Sequence, residues 1–197
     1  VAHENVRGRM LKELRIPRRG GVSFPQPPKG ARPVVTFTES VDLHMSGEEV
    51  RVFRVPSAHT DGDSFVFFPE SNVLHTGDVF RTNMYPIIDV YNGGTLAGTI
   101  EALEMAIDMA GPRTKVIPGH GLRIVGRDAM VEFLDMTIDV RDQVRTMISE
   151  GKPLDEVMAA RPTAVYDAAW GQEASWTAND FVPIVYHELG GGALYVQ

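Results

Sequence analysis

Two apolar runs, SFVFFP at 64–69 and NVLHT at 72–76, lie close together in the chain, with His59 before the first and Asp78 just after the second. Such runs read as core strands bounded by turn residues. From Val55 to Phe80, 26 positions hold two histidines and four acidic residues. Core strands do not need these groups at their ends, and polar groups buried without partners are costly. Chemistry is therefore to be sought at the ends of these strands.

The rest of the chain sorts around them. HENVRGRMLKEL carries Val6, Met10 and Leu14 at four-residue spacing and predicts a short helix. A loop with five prolines follows, RIPRRGGVSFPQPPKGARP. VVTF, VDLHM and EEVRVFRV read as strands, with MSGEE a hairpin-like connection. TLAGTIEALEMAIDMAG is an amphipathic helix with Leu96, Ile100, Leu103 and Ile107 on one face and Gly111 at its stop. TKVIPGHG is a short buried strand ending in a glycine-flanked His120, and RDAMVEFLDMTIDVRDQVRTMISEG a long helix. PLDEVMAA is a short helix started by Pro153. TANDFVPIVYHELGG predicts a last helix capped by Thr177 or Asn179, with Pro183 in its first turn. Residues 190–197 are expected to form a flexible tail on a single domain spanning 1–197. A strand-rich first half followed by helices and a strand fits a layered α/β sandwich.

Composition narrows the chemistry. An apolar fraction of 43% in 197 residues is enough for a real core. The net charge of −7 and pI of about 5.3 argue against a nucleic-acid surface. With no cysteine, thiolate zinc sites, Fe–S clusters, disulfides and a cysteine nucleophile are all excluded. No apolar run approaches membrane-spanning length, so no membrane partner is expected.

Three polar residues share one context: His59 after VRVFRVPS, Asp78 after NVLHTG and His120 after KVIPG. Each follows an apolar strand, and in layered α/β folds sites gather at strand ends. Two imidazoles and a carboxylate suit Zn²⁺, and the glycines at 77, 119 and 121 let the backbone turn the side chains toward one centre. Taken singly, each histidine is more simply a hydrogen-bonded turn residue; the joint placement favours the metal. Asp63 is a candidate acceptor for a ligand's second nitrogen, or equally a turn residue capping its own backbone. His75 reads as structural, and His3, His44 and His187 as surface residues. Tyr85, Asp89 and Tyr91 are candidates to line a substrate pocket, while Trp170 and Trp176 read as packing anchors. No catalytic acid or base stands out.

HTDGD, VLHTGDVF and VIPGHG, in this order, resemble the metallo-β-lactamase superfamily, and the resemblance runs nearly the whole length of the chain. It implies an αββα sandwich with one or two zinc ions at a sheet edge. His59 would serve the first zinc, His120 the second, and Asp78 would bridge them. An Asp there looks like the thioesterase and lactonase branches. The family's H-x-H-x-D-H motif is missing, because no two of the histidines at 3, 44, 59, 75, 120 and 187 are separated by one residue. The expectation is that this motif, the first β-layer and the remaining ligands precede Val1, and that full metal affinity needs them.

The resemblance thus implies a zinc-dependent hydrolase of a small-molecule ester, thioester, lactone or β-lactam, acting through a metal-bound hydroxide. The alternative is a non-catalytic fragment or metal-free scaffold of the same fold. With one β-layer uncovered, a homodimer through the exposed sheet is expected.

Overall fold

The computed structural model describes residues 1–16, 22–121 and 123–192. The chain opens with β1 (Ala2–His3), α1 (Glu4–Arg9), β2 (Leu14–Ile16), β3 (Val22–Phe24) and β4 (Thr36–Phe37). These make two small ladders, β1 parallel to β4 and β2 antiparallel to β3. The expected first helix is shorter than its apolar spacing suggests, because Leu14 leaves it for β2. The proline-rich segment contributes β3, and only Thr36 and Phe37 of VVTF pair as a strand.

The main sheet follows: β5 (Ser40–Met45), β6 (Glu48–Arg54), β7 (Ser64–Phe68), β8 (Val73–His75) and, after α2 (Leu96–Met109), β9 (Lys115–Ile117), in the spatial order β5-β6-β7-β8-β9. β5 and β6 are joined by Ser46 and Gly47, both at positive φ (54° and 84°), the backbone that a two-residue hairpin turn requires. β6 to β7 and β7 to β8 are antiparallel, whereas β8 to β9 is parallel, with α2 as the crossover. Two antiparallel steps and one parallel step make β6, β8 and β9 run in the same direction. Their carboxyl ends therefore emerge at one end of the sheet.

Register sorts the sheet into two faces. Phe53, Phe65, Phe67, Leu74 and Val116 share the face covered by α2 and α3 (Arg127–Ser149). Leu96, Ile100, Leu103 and Ile107 of α2 are all buried there, as their spacing predicts, beside Met130, Phe133, Met136 and Val140 of α3. Val41, Leu43, Val50, Val52, Val66, Phe68, Val73 and Ile117 share the opposite face; Val50 is buried there and the others are half-buried. This is one α-layer on one β-layer of the expected α/β sandwich. The two-stranded ladders do not supply the second layer among the described residues.

The chain ends with α4 (Leu154–Ala160), α5 (Asp167–Trp170) and α6 (Ala178–Glu188). Thr177 and Asp180 close a capping box on α6. Pro183 lies inside this helix, one turn beyond its expected first-turn place, and removes one helix hydrogen bond there. Of the expected flexible tail, Gly191 N–H donates to the Tyr186 carbonyl and the Gly192 carbonyl pairs with His187 Nδ1, so 190–192 are docked; 193–197 lie outside the described residues.

Candidate functional site

The shared direction of β6, β8 and β9 brings His59, Asp78 and His120 together. His59 Nε2 lies 3.6 Å from Asp78 Oδ2, and His120 Nε2 lies 3.3 Å from Asp78 Oδ1. Backbone bonds zip the two carrier segments: Thr76 N–H to the Ile117 carbonyl (3.0 Å), Gly119 N–H to Phe80 (3.1 Å) and Thr82 N–H to His120 (3.3 Å). A Cβ at Gly119 would fall 2.2 Å from Asp78 Oδ1, so only glycine lets the strand end pass this close to the carboxylate. His120 is 57% exposed against 20% for His59, and the site opens to solvent on the His120 side.

His59 is oriented from behind. Its Nδ1 lies 2.7 Å from the Ile87 carbonyl. A carbonyl only accepts, so Nδ1 carries the proton, and in the neutral ring Nε2 is a lone pair facing Asp78. Asp63, the sequence candidate for this orienting role, acts elsewhere. It accepts from Thr60 N–H (3.0 Å) and Thr60 Oγ–H (2.7 Å), and so closes the turn that follows His59. Burial pushes the Asp63 carboxyl above the usual carboxylate range, and the Thr60 bonds oppose the shift.

The residue that completes the cluster is Arg81. Its Nη2 lies 2.9 Å from Asp78 Oδ2, and the residue is 3% exposed. Sequence reasoning passed over it. The available signal was a single charge three residues after Asp78 in the otherwise uncharged stretch VFRTNMYP.

The other candidates form the support. Tyr85 does not line a pocket: it is fully buried, stacks on Phe181 at 5.6 Å and donates to Asp167 Oδ1 at 2.8 Å. Burial raises its phenol well above the usual value, and the Asp167 bond adds to this. Asp89 caps the turn at 90–92. Trp176 is buried and donates Nε1–H to the Pro86 carbonyl at 3.1 Å, as befits a packing anchor, and Trp170 packs on Phe133 and Tyr166. His75 Nδ1 accepts from Gly77 N–H at 3.0 Å, the structural role expected of it. His3 corrects the surface reading: it is buried, caps α1 and pairs with the Thr38 carbonyl.

Beside the site, α1 is pinned to the loop after His59 by a two-bond ion pair, Arg9 to Asp61 at 2.8 and 2.6 Å. A cavity of about 510 Å³ lies between them, lined by Val6, Arg9, Phe24, Thr60 and Tyr91 among others. No group of three or more His, Cys, Asp or Glu side chains among the described residues is gathered so as to hold a metal ion. The trio is two pairs sharing one carboxylate, with each histidine on its own oxygen.

A family model for the metallo-beta-lactamase superfamily matches residues 2–120. A linear primary-alkylsulfatase from Pseudomonas sp. (strain ATCC 19151) is 25% identical over 131 residues, which are 64% of this chain and 25% of that protein. A double mutant of the sec-alkyl sulfatase PisA1 matches with a TM-score of 0.64 at 15% identity, covering 83% of this chain and 27% of that one. The stereoselective inverting sec-alkylsulfatase Pisa1 from Pseudomonas sp. matches at 0.54 and 16% identity, covering 71% and 22%. These structural likenesses are likenesses of fold. The chain spans about a quarter of the length of these relatives.

Proposed function

The chain belongs to the metallo-beta-lactamase superfamily, and on that premise we propose that it is the metal-ligating part of a zinc-dependent hydrolase. The observation that carries the reading is the face-to-face placement of His59 Nε2 and Asp78 Oδ2. With its proton on Nδ1, a neutral His59 turns the Nε2 lone pair toward a carboxylate oxygen at 3.6 Å, the arrangement in which both atoms could ligate one cation. Two ligands of one tetrahedral zinc, with bonds of about 2.0–2.1 Å, lie about 3.3–3.4 Å apart. The observed 3.3 and 3.6 Å bracket that separation and exceed a good N–H···O bond. The donor set also fits, since borderline imidazole and carboxylate ligands suit zinc.

In this reading His59 would hold one ion and His120 a second, and Asp78 would serve both. When bound, zinc supplies a Lewis acid and an ionised water near neutral pH. The chain's own residues do the rest. The Ile87 carbonyl keeps the His59 proton on Nδ1 and leaves Nε2 free to ligate. Asp78 presents one oxygen to each imidazole. The exposed His120 side gives substrate its approach.

The bond cleaved is an ester, thioester, lactone or β-lactam, and the alkylsulfatase relative adds alkyl sulfate esters to that range. The test is a zinc titration of the chain with turnover of those five substrate classes. Hydrolysis that is zinc-dependent and lost in His120→Ala supports the proposal. Zinc binding absent at millimolar metal counts against it.

A second reading, a metal-free scaffold, is favoured by one feature. Arg81 already neutralises Asp78 from within the fold. The same titration separates the two.

A further inference from the structure

Asp78 faces two imidazoles with two different oxygens, and a carboxylate free to turn about its last bond would not keep that division. Arg81 restrains it. The guanidinium is engaged on three sides: Nη2 on Asp78 Oδ2 at 2.9 Å, Nε–H toward the Asp78 carbonyl at 3.4 Å, and Nη1 on Met84 Sδ at 3.5 Å. A buried charge needs a partner, and Asp78 is the carboxylate that Arg81 pairs with among the described residues. The main chain of Arg81 also bridges His120 in parallel register, and the next residue's N–H donates to the His120 carbonyl. One residue thus ties together the carboxylate and the strand end that carries the second histidine.

We propose that Arg81 is a positioning residue: its planar fork fixes Asp78 so that Oδ1 faces His120 and Oδ2 faces His59. Charge alone does not do this. A lysine would neutralise Asp78 but would not bond its side chain and its carbonyl from one rigid plane. The consequence for metal binding rests on the metallo-hydrolase reading; the positioning itself does not.

Arg81→Lys is the main variant, with Arg141→Lys, remote from the site on α3, as control. In the metal-free chain, imidazole ¹⁵N spectra should show His59 and His120 displaced in Arg81→Lys and unmoved in Arg141→Lys. Unmoved signals in a folded Arg81→Lys overturn the proposal. In a Zn²⁺ titration, Arg81→Lys should bind roughly 10–100-fold more weakly than the parent, the usual effect of losing a group that orients a ligand. Equal affinity overturns it. If the parent binds no zinc while the imidazole signals move as expected, the metallo-hydrolase reading fails and the positioning role stands. Should Arg81→Lys not fold, Arg81→Gln is compared alone and with Asp78→Asn. Partial restoration of stability by the second change supports the proposal, and strictly additive losses overturn it.

Discussion

His59 Nδ1 sits 2.7 Å from the carbonyl oxygen of Ile87, 28 residues later in the chain, and that carbonyl follows one held by Trp176. The last helices thereby reach the site through the loop at 81–95. Trp176→Phe removes the Nε1–H bond to Pro86 while keeping most of the packing. It should cost about 1–3 kcal/mol, because the buried Pro86 carbonyl is left without that donor. Chemical denaturation reads the loss, and imidazole spectra should show the His59 signal shifted or broadened. An unchanged His59 signal would mean that the loop holds the ring without Trp176.

What could be read from the sequence, and what could not, follows from this arrangement. His59, Asp78 and His120 were visible because apolar runs and glycines mark strand ends, and strand direction then brings three such ends together. The α2 face was visible from its period, and α3 from its length and its closing glycine. Ile87 was not, because a main-chain acceptor has no side-chain signature. Arg81 was not, because a lone arginine in a loop is usually solvated, and only the fold shows that it is buried. The antiparallel pairing of β2 with β3 was hidden, since Leu14 fits the first helix's spacing and the rest lies in the proline-rich segment, and such pairing is decided by the partner strand and not by composition.

Gly119 sets the spacing between the strand ends. Gly119→Ala would place a methyl 2.2 Å from Asp78 Oδ1 and 2.5 Å from the Gly77 carbonyl carbon, so backbone must move. The expected cost is about 1–3 kcal/mol, as for overpacking in a tight interior. Gly30→Ala, with nothing within 4 Å of the added methyl, should be close to neutral. Thermal melts of the two variants make the comparison, and equal melting temperatures would contradict it.

Asp78 is common to both histidine pairs, so its loss should matter most for zinc. His59→Ala leaves the His120–Asp78 pair, and His120→Ala leaves the His59–Asp78 pair, whereas Asp78→Ala leaves neither. The expected order of residual affinity in calorimetric titration is parent, then either histidine variant, then Asp78→Ala. Binding by the parent should itself be weak, because structural zinc takes four ligands and an ion at either histidine would find only two among these three residues. Asp78→Ala binding as well as the histidine variants would remove it from the shared position.

Asp63 gives a pH signature. Its carboxyl is raised above the ordinary 3.8, chiefly by burial. A raised folded pKa favours the protonated form in the folded state. Its contribution to stability is therefore fully present below the unfolded value and is lost as pH rises through the folded one. Asp63→Asn keeps a side chain able to bond Thr60 and carries no charge to desolvate. Its stability relative to the parent should improve as pH rises from about 3.9, the unfolded carboxylate value, toward neutrality. Urea denaturation across that window is the check. A difference that stays flat, or runs the other way, would show that the carboxylate is better solvated than its burial implies.

The half-buried sheet face predicts self-association. Val41, Leu43, Val52, Val66, Phe68, Val73 and Ile117 line it, Met45 is 55% exposed at its rim, and β5 is an edge strand of the main sheet. An apolar face bordered by an unpaired edge favours pairing with a second copy. Size-exclusion with light scattering should find the chain as a dimer or larger species at micromolar concentration. Phe68→Asp should shift it toward monomer, because a carboxylate at the centre of the face would have to be desolvated on pairing. Glu49→Gln, on the opposite face of β6, should leave the distribution unchanged, since register places that residue away from the apolar surface. A monomeric parent chain that binds no hydrophobic dye would mean that this face is closed by its own side chains.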